Sequence, residues 1–306
     1  MFPGVNLPWH RYGGDFGANA WSPAGGLSTR DLGSLHRALE GARRAGADLV
    51  RWFVLCDGRA GITYDASGVP MGLQPVVLDD FRTALDVLQQ HGLRMVPVLL
   101  DFTWGDARRE VNGVDLGGRA WVLRDPVARH RLWGVLDELL LAFGQHPAVA
   151  MWDAWNEPEW LCAAWRPRQR RLPRSVLRVC LAELVLHLRW HVTQPVTVGL
   201  ASARGLPLCR ALDLDVLQVH WYDNLERRTP LAVRPPVTWS RAPFVLGEFP
   251  TAGSARTCTD VVHIAQRAGY VAAWPWSLLA SDASTDGRAA LRAIDASCRL
   301  ATPEAP

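Results

Sequence analysis

The 306-residue chain predicts an α/β fold, a single (β/α)8 barrel, on three observations. Short β-rich runs alternate with amphipathic helical runs over the whole length. The strand runs are almost continuously apolar, as strands are when helices cover both faces of a parallel sheet. The longest expected connections, residues 7–30, 102–124, 158–174 and 223–242, all lead from a strand into a helix, which in a barrel gathers them at one end. A barrel of this kind takes ~250 residues plus insertions, so the whole of 1–306 is read as one catalytic-sized domain, without linker, low-complexity block or internal repeat. A doubly wound open sheet is the alternative. It calls for a glycine-rich turn after an early strand, and "VNLPWHRYGG" is not of the GxGxxG form.

The elements follow in order. "FPGVNL" (2–7) reads as strand one. "DLGSLHRALEGARRAG" (31–46) has helical apolar spacing and closes on Gly46, a residue suited to the left-handed turn after a helix. "DLVRWFVL" (48–55) is strand two, "LDDFRTALDVLQQHG" (78–92) a helix ended by Gly92, and "RMVPVLLD" (94–101) strand three. In "DPVARHRLWGVLDELLLAFGQH" (125–146), Asp125 is the N-cap and Pro126 the first helical residue. "AVAMWDAW" (148–155) is strand four. Helix 175–192, strand five (195–200), strand six (215–222), strand seven (243–249), helix 255–269, strand eight (270–278) and a closing helix (286–298) complete the pattern. Helices after strands five and six are expected to be short.

Composition narrows the function classes. The chain is 49% hydrophobic and carries a net charge of +3, so bulk electrostatics imply neither a nucleic-acid nor a membrane partner. All 33 basic residues are arginine and isoleucine is scarce, the mark of a GC-rich genome. The six cysteines (Cys56, Cys162, Cys180, Cys209, Cys258, Cys298) show no CxxC spacing, which speaks against a zinc or redox motif and for free, mostly buried thiols. No apolar run reaches the ~18 residues of a membrane span. The opening "MFPGVNLPW" lacks a basic segment and an apolar core before a cleavage site. An intracellular protein, or a mature domain with its leader removed, is the expectation.

Polar residues stand out at the ends of apolar strands. Strand four runs into "VAMWDAWNEPEW", placing Asn156 and Glu157 at its end; strand six ends on His220 and Tyr222 in "VHWYDN"; strand seven ends on Glu248 in "VLGEFP"; Arg51 lies inside strand two; Trp274 and Trp276 lie in strand eight. A charged side chain in an apolar strand costs several kcal/mol unless partnered, so these groups are expected to converge and satisfy one another. Two carboxylates facing each other across a barrel mouth can cleave an acetal. One protonates the departing glycosidic oxygen, and the other attacks the anomeric carbon or activates water, at separations of ~5–5.5 Å or ~6.5–9.5 Å respectively.

Here the sequence resembles a known group. "WNEP" and "GEF" look like the acid/base and nucleophile signatures of clan A retaining glycoside hydrolases. With the His-x-Tyr of 220–222, Arg51 and Trp276, the order and strand placement resemble the cellulase-like glycoside hydrolase family 5. The resemblance implies a retaining enzyme acting on β-glucans, β-mannans or shorter β-linked sugars. It also implies a carbohydrate as sole partner, no cofactor, no metal and a monomer. By matching position, Glu157 is the general acid/base and Glu248 the nucleophile, Asn156 binds the sugar 2-hydroxyl, Arg51 and Tyr222 keep Glu248 ionised, His220 lines the cleft, and Trp276 floors it; Trp274 is also expected at the substrate. Trp155 and Trp160 are expected to hold Glu157 in apolar surroundings. The family usually has a His near the end of strand three. This chain has "LLDFTWG" there, so Asp101 or Trp104 is expected in that space. A non-hydrolytic sugar-binding barrel or a transglycosylase is the alternative function.

Bland readings stand beside these. Glu157 also fits a loop or helix-cap position, Arg51 a structural ion pair, and His220 a satisfied core histidine. Of the fifteen tryptophans, Trp133 and Trp190 read as core, whereas Trp9, Trp21, Trp104, Trp121, Trp160, Trp165 and Trp221 are candidates for stacking on sugar, packing being the other possibility for each. The basic run "WRPRQRRLPR" (165–174) reads as a solvated loop. His187 and His191, spaced i, i+4, resemble half of a zinc motif without its Glu, and a surface pair on an outer helix is preferred.

Overall fold

The computed structural model describes residues 2–162, 172–232, 242–279 and 282–301. Residues 165–171 of the basic run, Trp165 included, lie outside the described residues. The expected strands one to eight are observed as β1 (Gly4–Asn6), β2 (Leu49–Phe53), β5 (Arg94–Asp101), β8 (Trp152–Asn156), β9 (Val196–Leu200), β10 (Leu217–His220), β11 (Phe244–Pro250) and β12 (Ala272–Trp276). They form one parallel sheet in strictly sequential order. Phe2 N–H donates to Val271 O (3.0 Å) and Leu278 N–H to Asn6 O (2.8 Å), so the last strand meets the first. The sheet closes into a TIM barrel. The sequential order excludes the doubly wound alternative.

The outer layer is α1 (Gly33–Arg44), α2 (Val76–Gln90), the short α3 (Ala120–Arg124), α4 (Pro126–Phe143), α5 (Arg174–His191), the four-residue α6 (Leu206–Cys209), α7 (Cys258–Ala268) and α8 (Gly287–Ala301). Local chemistry fixes their ends. Asp125 accepts from Val127 N–H and Ala128 N–H ahead of Pro126, and Thr257 with Asp260 closes a reciprocal cap on α7. The helix after β9 is only α6, as the weak pattern there foretold. No helix among the described residues is long and apolar enough to cross a membrane.

Two hairpins were not foreseen: β3 (Ile62–Tyr64) with β4 (Pro70–Leu73), and β6 (Arg109–Val111) with β7 (Val114–Leu116). The first occupies the stretch between β2 and α2, which the sequence reading had not counted among the long connections. Strands of three or four residues give too short an alternation to register against their turns.

The interior is layered. Low in the barrel, Leu49, Val96, Met151, Val245, Ala272 and Trp274 form an apolar plug. One layer up, the inward residues are Asn6, Arg51, Asp153, Gln218 and His220, all buried. Strand parity breaks between the layers. From Asp153 to Asn156, β8 takes three steps where β9 takes two (Thr197 to Gly199). From Leu246 to Phe249, β11 takes three where β12 takes two (Ala273 to Pro275). One additional residue in a strand shifts every later side chain to the other face. Trp155 therefore faces outward against Trp133, ring centroids 6.3 Å apart, while Asn156 and Glu248 both enter the barrel mouth.

Candidate active site

Arg51 is the hub. Fully buried in β2, it donates from Nε to Asp153 Oδ2 (2.8 Å), from Nη1 to Asn6 Oδ1 (3.0 Å) and Glu248 Oε1 (2.6 Å), and from Nη2 to Asn156 Oδ1 (2.8 Å). Burial opposes its charge and is the largest influence, but Asp153 and Glu248 outweigh it, so its pKa is raised. The guanidinium presses on β9 at Gly199. A Cβ there would sit 2.6 Å from Gln218 Nε2 and 2.8 Å from Arg51 Nη2, so only glycine fits.

His220 joins the two glutamates. Its Nδ1 lies 2.8 Å from Glu157 Oε1 and 3.4 Å from Glu248 Oε2. Burial drives its pKa down to about 4, so the ring is neutral at pH 7. With Nδ1–H facing carboxylates, Nε2 is left to accept from Gln218 Nε2 (3.5 Å). Gln218 in turn donates to Asp153 Oδ2 (2.9 Å). One oxygen of Glu157, one of Glu248 and His220 Nδ1 all lie within 4.8 Å of one another. Such a triad has the donor types of a metal site. Here, however, the Glu248 oxygens are occupied by Arg51 and by Tyr222 OH (3.1 Å), and the imidazole presents N–H rather than a lone pair.

Burial pushes the Glu248 carboxyl up, with the charge of Glu157 adding to it, while His220 and Arg51 act downward. The net direction is above the ordinary glutamate value, opposite to the expectation that Arg51 and Tyr222 would set it low; removing a carboxylate from water outweighs one ion pair. Tyr222 is raised well above its ordinary value by burial and the same carboxylates and stays a hydrogen-bond donor. Glu157 sits in the left-handed backbone region (φ 48°, ψ 45°), a conformation that costs energy for a residue with a side chain and clusters at functional sites. Its N–H donates to Gly199 O (2.6 Å). Trp160 meets Glu157 with the polar edge of its ring: its Nε1–H donates to Glu157 Oε2 (2.8 Å). Trp155 faces the helices and plays no part there.

Asn156 has its amide oxygen held by Arg51 and one N–H donated to Asp101 Oδ2 (2.8 Å). Asp101 stands at the end of β5 beside Asn156, and burial pushes its pKa up to about 6. A cavity of about 700 Å³ opens above these groups, lined by Trp9, Phe53, Asp101, Asn156, Glu157, Trp160, Tyr222, Glu248 and Trp276 among others. Trp276 donates to Asp282 Oδ2 (3.1 Å), which holds its ring in the wall.

Several tryptophans belong elsewhere. Trp274 was expected at the substrate. Two residues before Trp276 on the same inward face, it lies one layer lower, 1% exposed, with Nε1–H on Phe2 O (3.1 Å). Trp104 is fully buried and donates to Cys56 O (2.6 Å), whereas Asp101 reaches the cavity. Trp221 is buried on Glu226 (2.6 Å), and Trp21 donates to Val111 O (2.9 Å). Neither lines the cavity, nor does Trp121. Trp190, read as core, is 81% exposed, on the face of α5 opposite Leu177, Leu181, Leu184 and Leu188. Asn6, Asp153 and Gln218 were missed. Their signal was the one that exposed Arg51: a polar residue inside an apolar strand, in "GVNL", "MWDAW" and "LQVHW".

The fold is a (β/α)8 barrel that brings glutamates from the ends of β8 and β11 together at its mouth. Among solved structures, the chain is similar to the endo-1,4-beta-mannanase of Eisenia fetida (TM-score 0.77, 19% identity, covering 97% of this chain and 90% of that one). It is also similar to the beta-1,4-mannanase of Aplysia kurodai (TM-score 0.74, 19% identity, 96% and 92%). A mannan endo-1,4-beta-mannosidase from Mytilus edulis is 27% identical over 161 residues, which is 51% of this chain and 39% of that protein; the match thus spans about two fifths of that relative. No family model matches the chain.

Proposed function

We propose that this chain is a retaining glycoside hydrolase that cleaves β-1,4 bonds in mannan or manno-oligosaccharides by double displacement. The observation that carries the reading is the approach of Glu157 and Glu248 oxygens to within 4.8 Å, on the short side expected of retaining rather than inverting pairs. In the first step Glu248 attacks the anomeric carbon, the glycosidic C–O bond breaks, and Glu157 gives its proton to the departing oxygen. In the second, Glu157 takes a proton from water, the resulting oxygen attacks the anomeric carbon, and Glu248 leaves as carboxylate. Arg51 and Tyr222 position Glu248, His220 spans both acids, and Asn156 has one amide N–H left for the sugar 2-hydroxyl. The mannan preference is supported by the named activities of the similar proteins.

The reading is tested by reducing-sugar release from β-1,4-mannan, galactomannan and β-1,4-glucan, with mannan the preferred polymer. Wild-type inactivity on all three with sugar binding retained would favour a binding barrel instead. Azide should restore turnover of Glu157→Ala with a β-glycosyl azide product and of Glu248→Ala with the α-azide. The same anomer from both variants would overturn the assignment of roles.

A further inference from the structure

We propose that Asp137, His187 and His191 form a divalent transition-metal site, best matched by Zn²⁺, that clips α4 to α5 on the outside of the barrel. His187 and His191 are one helical turn apart on α5, so their rings share a face. Asp137 reaches that face from α4. Its Oδ1 lies 2.9 Å from His187 Nε2 and 3.5 Å from His191 Nε2, and one donor atom from each of the three falls within 4.8 Å of the others. Two bonds of about 2.0–2.1 Å at a tetrahedral angle put neighbouring ligands about 3.3 Å apart, a value bracketed by the 2.9 and 3.5 Å from Asp137 Oδ1 to the two rings.

Asp137 Oδ1 and His187 Nε2 face each other as a pair at 2.9 Å, and both atoms are shut off from solvent. A cation seated between them would take both atoms as ligands in place of that contact. The second ring is oriented: His191 Nδ1 lies 2.9 Å from His187 O. A donated Nδ1–H there leaves Nε2 with a lone pair toward Asp137, the outer bond that metal-binding histidines make. The frame is braced by Arg129 Nε on Glu183 Oε2 (2.7 Å) and Gln145 Nε2 on His191 O (2.9 Å), both spanning from the α4 side to α5. With the three side chains between 20% and 45% exposed, water can supply the fourth ligand. Two imidazoles and a carboxylate suit Zn²⁺ better than Mg²⁺ or Ca²⁺, which prefer all-oxygen sets. The chemistry proposed for the cleft does not use this site.

The test is calorimetric titration of chelator-stripped full-length protein with Zn²⁺. One ion per chain is expected, with micromolar or tighter affinity, weakened at least tenfold in His187→Gln and in His191→Gln and unchanged in Glu248→Gln. Zn²⁺ should also raise the Tm of the wild type by several degrees and leave that of the double variant H187Q/H191Q unmoved. Absence of saturable one-to-one binding to the wild type, or equal affinity in H187Q/H191Q, overturns the proposal. So does loss of binding in Glu248→Gln alone, which would place the ion at the other carboxylate–histidine cluster.

Discussion

Trp274 and Trp276 stand two residues apart on one strand and face the same barrel interior, yet they belong to different regions. The lower has aliphatic neighbours and a single backbone acceptor; the upper walls an open cavity beside Glu248. The same step divides the inward columns of β2, β8 and β11. Leu49 lies beneath Arg51, Met151 beneath Asp153, and Val245 beneath Glu248. The lower layer gains from removing apolar surface from water and tolerates no gap. The upper layer gives up that gain and is held by reciprocal hydrogen bonds, so each of its members matters for the ionisation and position of the next. Stability is concentrated in the lower layer and chemistry in the upper.

Substitutions can break that division or sharpen it. The largest effect is expected from Glu248→Gln, which should lower kcat/KM by about 10⁴-fold or more as the nucleophile is lost, with Tm close to wild type; steady-state kinetics alongside thermal melts check both. Trp274→Ala should do the converse, costing roughly 3–5 kcal/mol of stability while the folded fraction keeps its KM within about twofold. A tenfold rise in KM there would erase the boundary between the layers. Trp276→Ala should raise KM by about 10- to 100-fold, the order of one aromatic wall lost from a sugar site, with a small change in denaturation midpoint.

Protons sharpen the comparison. The raised Glu248 carboxyl is protonated, and therefore unable to attack, up to a higher pH than an ordinary glutamate. The acidic limb of kcat/KM against pH is expected above the glutamate value of 4.5, and Arg51→Met, which removes the opposing cation, should move it higher still. A limb below 4.5 would contradict this. The smallest effect concerns Glu159, buried behind Glu157, whose pKa burial pushes from 4.5 to about 8. Between those values the folded state keeps a proton that the unfolded chain has released, so stability falls as pH rises through that window. Glu159→Gln should flatten this slope by up to about 1.4 kcal/mol per pH unit, measured by denaturant unfolding at pH 5 and pH 8.

The barrel was legible because its strands are buried on both faces and its helices carry clear caps, as at Asp125 and Gly269. The strand-end groups Arg51, Glu157, His220, Tyr222 and Glu248 were legible because polarity in an apolar run demands a partner. What escaped was depth. Periodicity assigns a side chain to a face but not to a height along the barrel axis, which is why Trp274 and Trp104 were read as cleft residues. Nor does it reveal a hydrogen-bond sign: "NEPEW" brings Trp160 close to Glu157 without saying that the indole offers its N–H. Asn6, Asp153 and Gln218 needed only the rule already applied to Arg51.

The additional step in β8 and in β11 carries a consequence for how such a barrel can change. Deleting Ala154 or Gly247 would leave composition and hydropathy almost untouched, yet swap inside for outside in everything downstream on that strand. The acids of that strand would then look out at the helices, away from Arg51 and the cavity. Catalytic capacity in this molecule is thus vulnerable to a half-turn of strand phase that no change of side chain would betray.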